Sequence, residues 1–187
     1  RARRQSVSAL VQPVRRCDCV AFCLGAASGW KWFAPVIAYC NAIMPWALIE
    51  SGYMLGDPDV IDIGLESLDF LIHATFRGDQ FCPVGCHGWL ERGVSPALYD
   101  QQPVEACETL LCLLRAHVLT GDAAYHCRAR QCYAWDRGGN IAGMPLIDPE
   151  SGGCCDGITA EGMNRNQGAG SLVSWVIAHQ AWNREES

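Results

Sequence analysis

The amino-acid sequence predicts an all-α fold, an array of αα-hairpins, on three observations. Apolar residues recur at three- and four-residue steps over several long stretches, as on the buried face of a helix. Two glycine–aspartate pairs, Gly56-Asp57 and Gly121-Asp122, interrupt those stretches 65 positions apart (121 − 56), so one helix-turn-helix plan is repeated. No segment of strand length sustains an alternation of polar and apolar residues.

Each element has its local reason. Residues 1–28 form a poorly defined basic segment, with Arg1, Arg3, Arg4, Arg15 and Arg16, and a single αα-hairpin domain is expected over 29–187. A helix over 41–55 places Ile43, Met44, Ala47, Leu48 and Met54 on its apolar side. Gly56 stops it, Asp57 caps the next helix, and Pro58 takes a first-turn position whose N–H would have no partner anyway. Val60, Leu65, Leu68, Leu71 and Ile72 give that second helix a buried face. A third helix spans 101–119, with Asp100 as its expected cap and Val104, Cys107, Leu110, Leu111 and Leu114 behind it. Gly121-Asp122 turns the chain into an antiparallel partner over 123–135, and Asn166-Gln167 opens a further helix through Leu172, Val173, Trp175 and Val176.

Composition narrows the function classes. A formal net charge of −6 gives no nucleic-acid footprint, and no apolar run reaches the length of a membrane span. The 12 cysteines lack the paired C-x2-C units of a structural zinc site. Cys82, Cys86, His87 and Cys154 do not have that spacing either, so neither metal nor other cofactor is expected. Several cysteines fall within helical patterns, where a free thiol behaves as a small hydrophobe, and reduced thiols point to a cytoplasmic protein.

The long connections carry the chemistry. With the short Gly-Asp turns on one face, the connections over 77–99 and 137–165 fall together on the other, and loops of this length are usually functional. That face would collect carboxylates, amides and aromatic rings, a mixture suited to sugars: polar groups bond hydroxyls while rings cover apolar sugar faces. Asp100, Glu105, Asp156 and Glu161 are the candidates for acid and base or nucleophile in glycoside chemistry. Asp79, Gln80, Gln101, Gln102, Asn41, Asn164, Asn166 and Gln167 are candidate hydroxyl partners. Tyr39 and His87 join them, with Trp30, Trp32 and Trp89 as loop-borne rings; Trp46, Trp135, Trp175 and Trp182 read as core.

The order of motifs resembles a known family. They run Tyr39-Cys40-Asn41-Ala42, Ile63-Gly64-Leu65, Pro83-Val84-Gly85, Tyr99-Asp100-Gln101-Gln102-Pro103-Val104-Glu105, Asp156-Gly157-Ile158-Thr159 and Asn164-Arg165-Asn166-Gln167-Gly168-Ala169. Between Trp30 and Trp182 the chain resembles the six-hairpin glycosidase-like superfamily. More narrowly, it is similar to the C-terminal domain of bacterial group 1 glycosyltransferases, often mannosyltransferases. The resemblance implies a partial (α/α) toroid, a glycan substrate, and either an upstream glycosyltransferase domain or a homo-oligomer as partner. Cys40 and Gly170 stand where the family usually has carboxylates, and Asp136 follows Trp135 where an apolar residue is usual. Three readings stay open: a glycosyltransferase-associated domain that binds or processes a glycan, a free-standing glycoside hydrolase, and a non-catalytic structural or partner-binding array.

Overall fold

The computed structural model describes Phe22 and residues 29–186, so the basic segment expected over 1–28 lies outside the described residues apart from Phe22. Five helices follow: α1 (Ile43–Leu55), α2 (Pro58–Thr75), α3 (Pro103–Thr120), α4 (Ala123–Trp135) and α5 (Ala169–Glu185). The strands are two or three residues long and lie in the connections. They are β1 (Val36–Ile37), β2 (Phe76–Arg77), β3 (Gln80–Phe81), β4 (Leu90–Glu91), β5 (Gly157–Thr159) and β6 (Gly162–Asn164). They form three antiparallel pairs, β1 with β4, β2 with β3, and β5 with β6. The expected all-α class holds, and none of the helices is long and apolar enough to cross a membrane.

The short turns form as their residues dictate. Gly56 adopts a left-handed φ of 67° and Gly121 one of 72°, conformations that suit a residue without Cβ. Asp57 then accepts from Val60 N at the start of α2, and Asp122 accepts from Ala124 N at 2.8 Å at the start of α4. The third expected cap is corrected: α3 starts at Pro103, and its cap position is Gln102, whose side chain makes no capping bond. Asp100 stands two residues too early, because Gln101 between them is committed to a strand-like bridge with Ile158.

Pairing of the helices fixes which ends share a face. α1 packs on α2, α3 packs on α4 and α5, and α1 meets α3. Close approach within the first hairpin depends on glycine: a Cβ on Gly64 would lie 2.8 Å from the Ile49 side chain. At the start of α1, Asn41 Nδ2 donates to Glu105 in the first turn of α3 at 3.0 Å; further along both helices, Arg115 pairs with Glu50 at 2.7 Å. α1 and α3 therefore run parallel, and Gly56 and Gly121 lie at one end of the molecule. The starts of α1, α3 and α5 and the ends of α2 and α4 meet at the other end, as the sequence pattern requires.

The core runs through the hairpins and includes Leu68, Leu71, Phe81, Leu110, Leu113 and Trp135, each at most 1 % exposed. Trp30 and Trp32 belong to it. Trp30 sits edge-on to Phe70 with centroids 5.0 Å apart and donates its Nε1 hydrogen to Ala34 O, so these two rings pack the first hairpin rather than wall an opening. α2 buries Val60, Leu68 and Leu71, whereas α5 keeps an apolar stripe in solvent, Leu172, Val173, Val176 and Ile177 at 39–55 % exposure. Among the described residues, nothing covers that side of α5.

Candidate functional site

One corner of the loop end is built from three segments. β1 leads to Tyr39 and Cys40, and β4, which Trp89 immediately precedes, pairs Leu90 with Ile37. The 83–100 loop is cinched at its base, with Gly85 N donating to Ala97 O at 2.8 Å and Cys86 N to Asp100 O at 3.1 Å. Gly85 is required there, since a Cβ would lie 1.7 Å from Tyr99 O. Gln101 then bonds Ile158 in both directions, at 3.1 and 3.0 Å, bringing the 153–168 loop to the same corner.

Backbone strain concentrates in this corner. Among the described residues, the non-glycine positions with left-handed φ are Cys40 (55°), Trp89 (57°) and Asp100 (60°). Each such conformation costs an L-residue about 1–2 kcal/mol, and neither cysteine nor tryptophan has the short polar side chain that eases it. Asp100 is half exposed, and its carboxylate lies 3.6 Å from Nδ1 of the exposed His87.

Beneath that pair lies a buried acid. Glu105 is 4 % exposed and accepts from Cys40 N at 2.7 Å, Asn41 N at 3.4 Å and Asn41 Nδ2 at 3.0 Å. Burial pushes its carboxyl up to about 7, against the lowering effect of those donors. Glu108 follows three residues later on the same helix face, and burial raises it too. The Cys40 thiol bonds Glu108; burial, and then Glu108 beside it, pushes that thiol up to about 12. Glu108 was not among the sequence candidates, although its three-residue spacing from Glu105 was a usable signal.

Other expected site residues are placed but differently employed. Gln101 is fully buried: it accepts from Trp135 Nε1 at 3.1 Å and donates to Leu98 O at 2.9 Å and to the Cys82 sulfur at 3.2 Å, tying α4 to the start of α3. It is a structural bracket rather than a sugar ligand. Gln102 is half-buried beside it. Asp156 serves the start of α5, accepting from Gly168 N at 2.8 Å, Ser171 Oγ at 2.6 Å and Asn166 Nδ2; these bonds, Ser171 first, hold its carboxyl below the usual range. Gln167 donates to Asp148 at 3.2 Å, and Asn164 Oδ1 accepts from Asn166 N at the same distance. Glu161 is exposed at the β5–β6 turn. Asp79 accepts from Gln131 of α4 at 3.4 Å, and Gln80 pairs with Arg77 in the β2–β3 hairpin.

A second buried acid also escaped the sequence reading. Asp136, at the end of α4, is 1 % exposed, neither carboxyl oxygen has a partner, and burial pushes it up to about 8. Its position after Trp135, where the resembled family has an apolar residue, was the signal. The nine cysteines of the described residues are free thiols, and among those residues no group of three His, Cys, Asp or Glu is placed to hold a metal.

Of two clefts, the first shares no residue with this corner and the second touches it at Leu90 of β4. The first, of about 290 Å³, is lined by Tyr133, Arg137, Pro145, Ile147, Trp175 and His179. The second, of about 340 Å³, lies among Phe70, His73, Phe76, Arg77 and Pro96.

Fold and site thus define a helical-hairpin protein with a strained polar corner where the starts of three helices meet. Comparison with known proteins agrees at the level of the fold. No family model and no curated protein matches the chain. Among solved structures it is similar to a family 76 glycoside hydrolase from a bovine Bacteroides thetaiotaomicron strain, with a TM-score of 0.53 and 15 % identity over 76 % of this chain. The chain covers 33 % of that enzyme's length.

Proposed function

We propose that this chain is a carbohydrate-associated domain that binds a glycan at the Asp100 corner. The observation that carries the reading is the gathering of Cys40, Trp89 and Asp100, all in left-handed backbone, around an accessible Asp100–His87 pair. Strain of this kind persists where a precise arrangement is used, and here it holds a half-buried indole and a carboxylate that lies beside an imidazole. Half-exposed Trp89 and exposed Tyr39 supply apolar faces for a sugar ring, and Asp100 and His87 supply hydroxyl partners. The likeness of the fold to a glycoside hydrolase, and the motif resemblance to glycosyltransferase C-terminal domains, point to the same ligand class. The free thiols favour a reducing compartment, the cytoplasm.

Binding is preferred to hydrolysis for a specific reason. A glycosidase needs two carboxyl groups free to reach the glycosidic bond. Burial pushes Glu105 up to about 7, a range that suits an acid catalyst, but three donors already hold its oxygens, and Asp156 is occupied at the start of α5.

Calorimetric titration of wild type and Asp100→Asn with a panel of mannosides and glucosides tests the reading. Asparagine tolerates left-handed φ, so the backbone is kept while the charge is lost. Loss of a charge-assisted bond to a hydroxyl predicts affinity about tenfold to a hundredfold weaker in the variant. Equal binding by both proteins removes Asp100 from the site. A melting temperature lowered by several degrees in the variant makes the carboxylate structural.

A further inference from the structure

The cleft between the end of α4 and the second and third turns of α5 has a chemistry unlike that of the Asp100 corner. None of its six lining residues is acidic. Arg137 is exposed at its edge, and no carboxylate pairs with it among the described residues. The guanidinium lies over the Tyr133 ring, 5.3 Å from its centroid, and donates to the Tyr133 hydroxyl at 3.5 Å. A cation held in place without a counter-ion marks a position for an anion.

The hydrogen-bond pattern around Tyr133 strengthens this. Asn183 Nδ2 lies 3.2 Å from His179 Nε2, and an amide nitrogen donates, so Nε2 is the acceptor. The ring proton then sits on Nδ1, which donates to the Tyr133 oxygen at 2.8 Å. With Arg137 and His179 both donating to that oxygen, the Tyr133 proton is left to donate outward. The polar groups facing the cleft, guanidinium and phenol, are thus donors. Of the acids adjacent in the chain, Asp136 is buried and forms no ion pair with Arg137, and Asp148 is held by Glu150 N, Ser151 and Gln167.

The remaining walls are apolar. Trp175 and Tyr133 stack with their ring planes 14° apart, and Pro145 and Ile147 line the cleft with them. A volume of about 290 Å³ sits at the small end of ligand pockets and admits one ring-sized unit.

We propose that this cleft is a second ligand site, selective for a saccharide unit that bears an oxyanion, carboxylate or phosphate. The saccharide ring rests on the carbohydrate reading above; the oxyanion follows from the cleft alone. Arg137 and the Tyr133 hydroxyl bind the oxyanion, and Trp175, Pro145 and Ile147 take the ring.

Tryptophan-fluorescence and NMR titrations of the whole chain with glucuronate, glucose 6-phosphate, neutral glucose and benzoate test it. At least one of the two anionic sugars saturates at a concentration tenfold or more below glucose, and whichever does so identifies the oxyanion. Arg137→Gln returns that sugar to the level of glucose, and Tyr133→Phe, which keeps the ring stack, weakens it severalfold. Asp100→Asn leaves it unchanged, so failure of the Asp100 corner is read separately, from neutral mannosides and glucosides. Equal binding of glucose and both anionic sugars overturns the proposal, as does an Arg137→Gln variant that binds like wild type. Saturation by benzoate with neither sugar binding overturns it too.

Discussion

Asp136 is a buried carboxyl without a partner, and replacing it with asparagine should stabilise the protein at neutral pH. Its ordinary value of 3.8 is pushed up to about 8 in the fold. The folded state therefore binds a proton that the unfolded chain releases, and stability from this group is fully present below about pH 4 and lost as pH rises toward 8. At pH 7 the unfolded chain gains about 1.36 × (7 − 3.8), roughly 4 kcal/mol, by ionising it. Asp136→Asn has the same shape and never ionises. Its amide still needs partners, at a cost of about 1–3 kcal/mol, leaving a net gain of about 1–3 kcal/mol at pH 7. In a domain of this size that raises Tm by about 2–4 °C per kcal/mol. Urea unfolding of both proteins at pH 4, 6 and 7.5 reads the effect, and at pH 4 the advantage should vanish or reverse. A variant destabilised equally at all three values would mean that Asp136 is ionised and paired, and the reasoning fails.

The other predictions follow the same logic. Glu105→Gln offers one acceptor oxygen where two now receive three donors, so it should cost about 1–3 kcal/mol while removing the stability lost between pH 4.5 and about 7; chemical denaturation across that range checks both. Gly85→Ala should be among the most damaging single changes, about 2–4 kcal/mol by thermal unfolding, because its Cβ would meet Tyr99 O at 1.7 Å. Asp57→Ala and Asp122→Ala each remove a side-chain cap and should cost about 1 kcal/mol, nearly additive in the double variant since the caps lie on different hairpins.

How much of this was legible in the sequence depends on the range of the forces involved. The hairpins were readable because their determinants are local: Gly56 and Gly121 end helices, Asp57 and Asp122 begin them, and the apolar period between is helical. The common end of the loops was readable too, given that both short turns lie on one face, which leaves the long connections on the other. Asp100 looked like a cap because its residue type and position fit one. Only the pairing of Gln101 with Ile158, 57 residues downstream (158 − 101), displaces it into left-handed backbone, and no local rule contains that contact. Trp30 and Trp32 show the same limit from the other side, for a loop tryptophan becomes core when a helix such as α2 supplies Phe70 to pack on.

The buried acids mark where local and tertiary requirements conflict. Glu108, half-buried with one enclosed oxygen, sits one helical step beyond Glu105, and Asp136 sits one residue beyond the buried Trp135 where burial alone would select an apolar side chain. Of the three, Glu105 has a structural reason, since its three donors join the start of α1 to α3. Glu108 has only the Cys40 thiol, and Asp136 has nothing, yet both acids lie toward the end of the molecule where the strained residues gather. Among the described residues, the partnerless carboxyl and the left-handed side chains lie toward this end, while the opposite end carries aspartate caps and glycine turns. The asymmetry is what function at the loop end would require, and it rests on residues that neither helical periodicity nor capping preference selects.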